Sequence, residues 1–160
     1  MRVHGRQYRT ICVADDGATV EVIDQTRLPF DFEVRHLHTA AQAAEAIRDM
    51  VVRGAPLIGV TAAYGVALGM RSDPSDAGLA RVVQLLGATR PTAVNLRWAL
   101  ERVRSVLAVK SPSQRAARAY DEAARIAEED VAACASLGRH GRAILEALQA
   151  QRGGQPVRVL

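Results

Sequence analysis

Lysine is almost missing from this chain: Lys110 is the only one among 21 basic residues. The arginines that make up the rest are scattered among acids along helix-like segments, and the net charge is a modest +4. Aromatic residues are only 4% of the total, too few for a platform on which bases could stack, so a nucleic-acid partner is not expected. Cysteine is scarce as well. Cys12 and Cys134 stand alone, with no paired spacing, which excludes a disulfide scaffold or a cysteine metal site and fits a reducing cytoplasm. His4, His36, His38 and His140 share no ligand spacing, so neither a metal nor a histidine base is expected. No long apolar run is present. The longest, Pro56 to Met70, falls short of the roughly 20 residues that cross a bilayer, so no membrane partner is expected. The first residues lead into alternating sequence instead of the apolar core of an export signal.

What is present is enough apolar sequence, 49% of 160 residues, to build a core of useful size. Apolar and polar residues alternate over residues 7–13 and 19–24 on either side of Asp15-Asp16-Gly17, which predicts a β-hairpin. A third strand is expected over residues 32–36, giving a small antiparallel sheet. Helices follow. Thr39-Ala40-Ala41-Gln42 has the form of a capping box, and its helix should run to residues 50–52 with Gly54 as the stop. Pro56 restarts helix, and residues 56–70 are apolar on every face, as expected of a central buried helix. Further helices are expected over 76–86, over 92–109 with Leu96, Leu100, Val103 and Leu107 on one stripe, and from Pro112 to Ala135. A break at Gly138 should precede a last helical stretch at 144–150. The fold class is therefore α+β: a small antiparallel sheet followed by a helical bundle. Residues 1–150 form this domain. Residues 151–156 read as a linker, and Val157-Arg158-Val159-Leu160 as the opening strand of a further domain.

Two stretches carry the chemistry. Val52-Arg53-Gly54-Ala55-Pro56 and Arg90-Pro91-Thr92-Ala93 each put an arginine just ahead of a segment that should open a helix. The first turn of a helix has unpaired amide N–H groups and a partial positive charge, so a guanidinium beside it makes a place for a phosphate or carboxylate. Two such places point to a phosphorylated small molecule. Blander roles stand beside these: Arg53 can complement a helix C-terminus, Arg90 can be a solvated loop residue, and Gly54 can be a helix stop. Asn95 either orients Arg90 or bonds locally. Cys12, Cys134, Trp98 and Tyr64 read as core residues, with Tyr64 near enough to the first stretch to line a pocket.

The residues from Ile47 through Val60, continued by Ala62-Ala63-Tyr64-Gly65, closely resemble the methylthioribose-1-phosphate isomerases of methionine salvage. So do Asp24-Gln25-Thr26-Arg27-Leu28-Pro29 and Arg90-Pro91-Thr92-Ala93-Val94-Asn95-Leu96, and the helix carrying Glu128-Glu129-Asp130 with Gly138 and His140-Gly141. The resemblance implies a Rossmann-like second domain beginning near the end of these residues. It also implies a cytoplasmic homodimer and an aldose–ketose isomerisation of 5-methylthioribose 1-phosphate without a cofactor. It assigns substrate contacts to Arg53, Gly54, Ala55 and Arg90. The family's catalytic cysteine and aspartate are expected beyond Leu160, so this chain alone should be inactive, and neither Cys12 nor Cys134 inherits the role. A ribose-1,5-bisphosphate isomerase, or a non-enzymatic subunit related to the translation-initiation nucleotide-exchange factor, is the alternative.

Overall fold

In the computed structural model, which describes residues 2–3 and 5–159, the chain divides into two compact units, residues 1–127 and 128–160. His4 and Leu160, both named from the sequence, lie outside the described residues. In the first unit, β1 (Arg2–Val3) pairs antiparallel with β2 (Arg6–Gln7). A separate three-stranded antiparallel sheet holds β3 (Ile11–Val13), β4 (Val20–Ile23) and β5 (Val34–Leu37), with β4 in the middle. The hairpin over 11–23 forms as the alternation predicts. It is shorter at its start than expected, because Arg6–Gln7 pairs with Arg2–Val3 instead. Side chains in a strand alternate between faces. Ile11, Val13, Val20, Val22 and Leu37 therefore turn together into the core.

Five helices follow. α1 (Ala40–Arg48) carries the expected capping box, with the Thr39 side chain accepting from the Gln42 amide while Gln42 reaches back to the Thr39 N–H. α1 ends earlier than the sequence implies. Met50 takes a left-handed φ of 59° and turns the chain, which lets Val51 and Val52 drop into the core. Gly54 is consequently not the stop of α1; it is the N-cap of α2 (Ala55–Ser72). α2 is buried from Ile58 through Leu68 and again at Met70, as its all-round apolar sequence requires. Each large side chain removed from water in this way contributes about 1.5–3 kcal/mol.

α3 (Asp76–Gly87) is capped by Ser75, whose hydroxyl accepts from the Gly78 amide. α4 (Val94–Ala108) buries the expected stripe of Leu96, Leu100, Val103 and Leu107. Its opposite face carries Trp98, which is 49% exposed and lies under the Arg102 guanidinium at 5.3 Å, so the expected core role does not hold. α4's last turn is closed by a residue from α5. Arg115 is buried, and its Nε donates to the carbonyls of Leu107 and Lys110. Its two terminal nitrogens reach the Pro74 carbonyl and the Asp76 carboxylate at the start of α3.

α5 (Pro112–Gln151) is one continuous helix, so the expected break at Gly138 is absent. Nothing lies within 4 Å of the Cβ position at Gly138 or Gly141, and strong helix formers surround both glycines. In the second unit, which begins at Glu128, Cys134 is exposed and not a core residue; in the first, Cys12 is only partly buried. Residues 156–159 take part in no strand among the described residues.

Candidate anion site at two helix starts

Arg53 enters the first helix start from a connection held at both ends. The Val52 N–H donates to the Ala46 carbonyl, and the Val51 carbonyl accepts from the Gln25 amide at 2.9 Å. The Asp24–Pro29 segment is thus stitched to the same connection. Arg53 itself is exposed, and its Nε donates to the Met50 carbonyl at 3.3 Å. Gly54 follows with φ 91° and ψ 133°, a backbone shape that side chains resist. Its Cβ position is otherwise open, so conformation and not crowding calls for glycine there. The Gly54 carbonyl accepts the first helical bond, from the Ile58 amide. Ala55 and Leu57 keep first-turn N–H groups without a helical acceptor, while Pro56 has none to leave unpaired.

The second start is built differently. After α3, the Thr89 hydroxyl and amide both donate to the Leu86 carbonyl, and Arg90 begins a turn in which the Ala93 amide donates to its carbonyl. Arg90 is half-buried. It lines a cavity of about 160 Å³ together with Pro91, Ala93, Arg97 and Glu101 over a floor of Leu96 and Leu100. Arg97 was not singled out in the sequence. It sits in the first turn of α4, and helical side chains lean toward the N-terminus. Its Nη2 accordingly donates to the Pro91 carbonyl at 3.0 Å. An arginine in the first turn of the helix that follows an Arg-Pro turn is the available signal. Among the described residues no hydrogen bond links the Asn95 side chain to Arg90, so the orienting role weighed for it has no support.

The two starts meet. A Cβ built on Gly59, one turn into α2, would lie 2.9 Å from the backbone oxygen of Asn95, the second residue of α4. Arg53, Gly54 and Ala55 thus lead into α2, Arg90 lies in the turn four residues before α4, and the two helices approach at Gly59 and Asn95. Capping sets these two helices apart: α1 and α3 each have a side-chain cap, whereas neither α2 nor α4 has one. Neither Arg53 nor Arg90 is ion-paired with a carboxylate among the described residues. Helix amides without a side-chain cap, with an arginine that has no carboxylate partner a few residues upstream, are chemically suited to an anion. Among the described residues no group of three or more histidine, cysteine or acidic side chains is arranged to hold a metal ion, and no helix is long and apolar enough to cross a membrane.

Residues 51–150 match the model of the Initiation factor 2 subunit family. The chain belongs to that family. Over all 160 residues it is 61% identical to the methylthioribose-1-phosphate isomerase of Methylobacterium nodulans, of which it covers 43%. It is 54% identical to the same enzyme of Rhodospirillum centenum, again covering 43% of it. The chain thus spans less than half the length of these curated relatives. Two solved family structures share its fold with a TM-score of 0.71. The 5-methylthioribose 1-phosphate isomerase of Pyrococcus horikoshii is 34% identical and matches 79% of this chain and 37% of its own. The delta subunit of translation initiation factor eIF-2B from A. fulgidus is 36% identical and matches 78% of this chain and 38% of its own.

Proposed function

We propose that this chain is the phosphate-holding part of a methylthioribose-1-phosphate isomerase acting in methionine salvage. The observation that carries the reading is the packing of two uncapped helix openings, each preceded by an arginine with no carboxylate partner among the described residues. Identity of 54–61% along the whole chain to proteins named for that reaction supports it further. Fold alone does not separate the isomerase from the translation-factor subunit, because both structures match equally well.

In this reading the anomeric phosphate of 5-methylthioribose 1-phosphate is bound by the guanidiniums of Arg53 and Arg90 and by the first-turn amides that begin at Gly54 and Ala55. The phosphate blocks spontaneous opening to the free aldehyde. The enzyme must therefore open the ring and move hydrogen from C2 to C1 in a water-poor pocket, a task for a general acid or base. Those groups, a cysteine and an aspartate by the resemblance, belong to sequence beyond residue 160. This chain's residues orient the sugar phosphate and neutralise its charge. The protein works in the cytoplasm as a homodimer, with a phosphorylated sugar as its ligand and neither nucleic acid nor membrane as partner.

The test is binding to the full chain, followed by calorimetry and amide shifts. 5-Methylthioribose 1-phosphate should bind and perturb the amides of Gly54, Ala55 and Val94, and the chain alone should give no turnover. Arg53→Ala and Arg90→Ala should each weaken binding about tenfold, since a charge-assisted hydrogen bond is worth about 1.5–3 kcal/mol. Ribose 1,5-bisphosphate binding more tightly than the methylthio sugar would favour the bisphosphate isomerase. No binding of either sugar by the full-length protein would favour a subunit of the translation-factor kind.

A further inference from the structure

Three glycines lie within α2, and each is crowded where a side chain would begin, but the crowding atoms differ in kind. At Gly65 they are the Ala43 and Leu86 side chains at 3.0 Å, and at Gly69 they are atoms of Val82. At Gly59 the nearest atom is the carbonyl oxygen of Asn95, at 2.9 Å, with Ala99 Cβ at 3.4 Å. The Leu86 side chain can turn aside and the Ala43 Cβ moves only with α1, whereas a carbonyl in the first turn of α4 moves only when the start of α4 moves. Gly59 lies one turn beyond Ala55, and Asn95 lies one residue beyond the start of α4.

We propose that Gly59 is a positioning residue: by lacking a side chain it sets the separation between the Arg53–Ala55 and Arg90–Ala93 segments, so that a single sugar phosphate is held by both. The inference rests on the reading of these segments as one phosphate site. Gly59 touches no ligand. It acts through α4, whose opening it allows to come close enough for Arg90, and for the turn that Arg97 braces through Pro91, to work with Arg53. Adding one methyl at Gly59 forces the two openings apart. An equal addition at Gly65 presses on side chains of α1 and α3 instead.

The experiment compares Gly59→Ala, Gly65→Ala and the unsubstituted chain for binding of 5-methylthioribose 1-phosphate, with inorganic phosphate as the bare anion. Far-ultraviolet circular dichroism and thermal melting report folding of each. In the unsubstituted chain the amides of Ala55 and Val94 should respond with one common dissociation constant. Gly59→Ala should weaken sugar-phosphate binding about tenfold or more, as the displaced segment loses its charge-assisted contacts. The responses at Ala55 and Val94 should then separate. Gly65→Ala should melt earlier yet bind as the unsubstituted chain does. Folded Gly59→Ala with unchanged affinity overturns the inference, as does an equal loss in both variants. If Gly59→Ala does not fold, the unsubstituted chain decides: dissociation constants that differ between the amides of Ala55 and Val94 mean the two segments do not hold one phosphate together, and they overturn the inference equally. Failure of the unsubstituted chain to bind overturns the site itself, whereas unchanged binding by folded Gly59→Ala overturns only the role of Gly59.

Discussion

Asp24 and Arg35 are joined Oδ2 to Nε at 2.7 Å, although the Asp24 side chain is wholly buried and that of Arg35 is half exposed. The other carboxylate oxygen, Oδ1, accepts from the Thr26 hydroxyl at 2.6 Å and the Thr26 amide at 2.9 Å. Burial opposes the charge of Asp24, but the Thr26 hydrogen bonds and the Arg35 guanidinium together hold its carboxyl below the usual carboxylate range. The next residue, Gln25, donates its amide to Val51, two residues before Arg53. This buried carboxylate therefore anchors the connection from which Arg53 projects.

Removing Arg35 leaves that carboxylate buried with only the Thr26 bonds on Oδ1. Because Arg35 is half exposed and those bonds survive, Arg35→Ala should cost about 1–2 kcal/mol, the lower part of the range for an unsatisfied buried acceptor. Urea unfolding followed by circular dichroism checks this. An unchanged midpoint would mean that water replaces the guanidinium without loss.

Where local chemistry decided structure, the sequence was readable. The Asp-Asp-Gly hairpin, the Thr39–Gln42 capping box and the apolar stripe of α4 all form because neighbouring residues alone favour them. Arg53, Gly54, Ala55 and Arg90 stand out in the sequence for the same local reason, arginine beside proline or glycine at an expected helix boundary, and their part in binding is the proposal made above. Elsewhere tertiary forces won. Met50 accepts a left-handed backbone because the turn buries Val51 and Val52, and a rule that reserves such turns for glycine misses it. Gly138 reads as a break, yet a single glycine costs only about 1 kcal/mol in a helix and α5 is long enough to carry it. Spacing within one segment also could not show that α2 and α4 open against each other, since that contact joins residues 59 and 95.

Acid should reveal the hairpin turn. The Asp16 side chain accepts from the Thr19 hydroxyl and from the amides of Thr19 and Ala18, and these bonds lower its pKa to about 2 from an ordinary 3.8. A carboxyl whose folded pKa is depressed adds stability that is complete above its unfolded value and disappears as pH falls through the folded one. The contribution of Asp16 should therefore be present above pH 3.8 and be lost on the way down to pH 2. Asp16→Asn should melt less steeply with acid across that window, and proton-detected titration of the Thr19 amide should report the same midpoint. Equal acid sensitivity in both proteins would show that the turn does not hold the charge in solution.

The continuity of α5 has its own signature. Gly138 and Gly141 have open space where a Cβ would go, so alanine at either site meets no neighbour and gains helix propensity of about 1 kcal/mol. The double variant Gly138→Ala/Gly141→Ala should show slower amide exchange over residues 134–148, with no loss of helical circular dichroism. If the sequence-based break were real in solution, the glycines would adopt a shape that alanine resists, and the substitutions would lower helicity instead.

Finally, the two cysteines should differ sharply toward alkylating agents. Burial pushes the Cys12 thiol up from its ordinary pKa, and Glu21, whose carboxylate accepts from Sγ at 3.7 Å, pushes it further in the same direction. The charge of Arg9 works against both and does not overcome them. Only the thiolate attacks an alkylating agent, so Cys12 is disadvantaged both by its small thiolate fraction and by access. Cys134 lies exposed on α5. Iodoacetamide near neutral pH should label Cys134 well before Cys12, as peptide mass mapping over time will show. Raising the pH should narrow the gap, because the Cys12 thiolate is still accumulating. Glu21→Gln should narrow it too, at fixed pH and with the fold unchanged, by removing the carboxylate that disfavours the thiolate. Equal labelling rates for the two cysteines near neutrality would show that Cys12 is neither shielded by the sheet nor governed by Glu21.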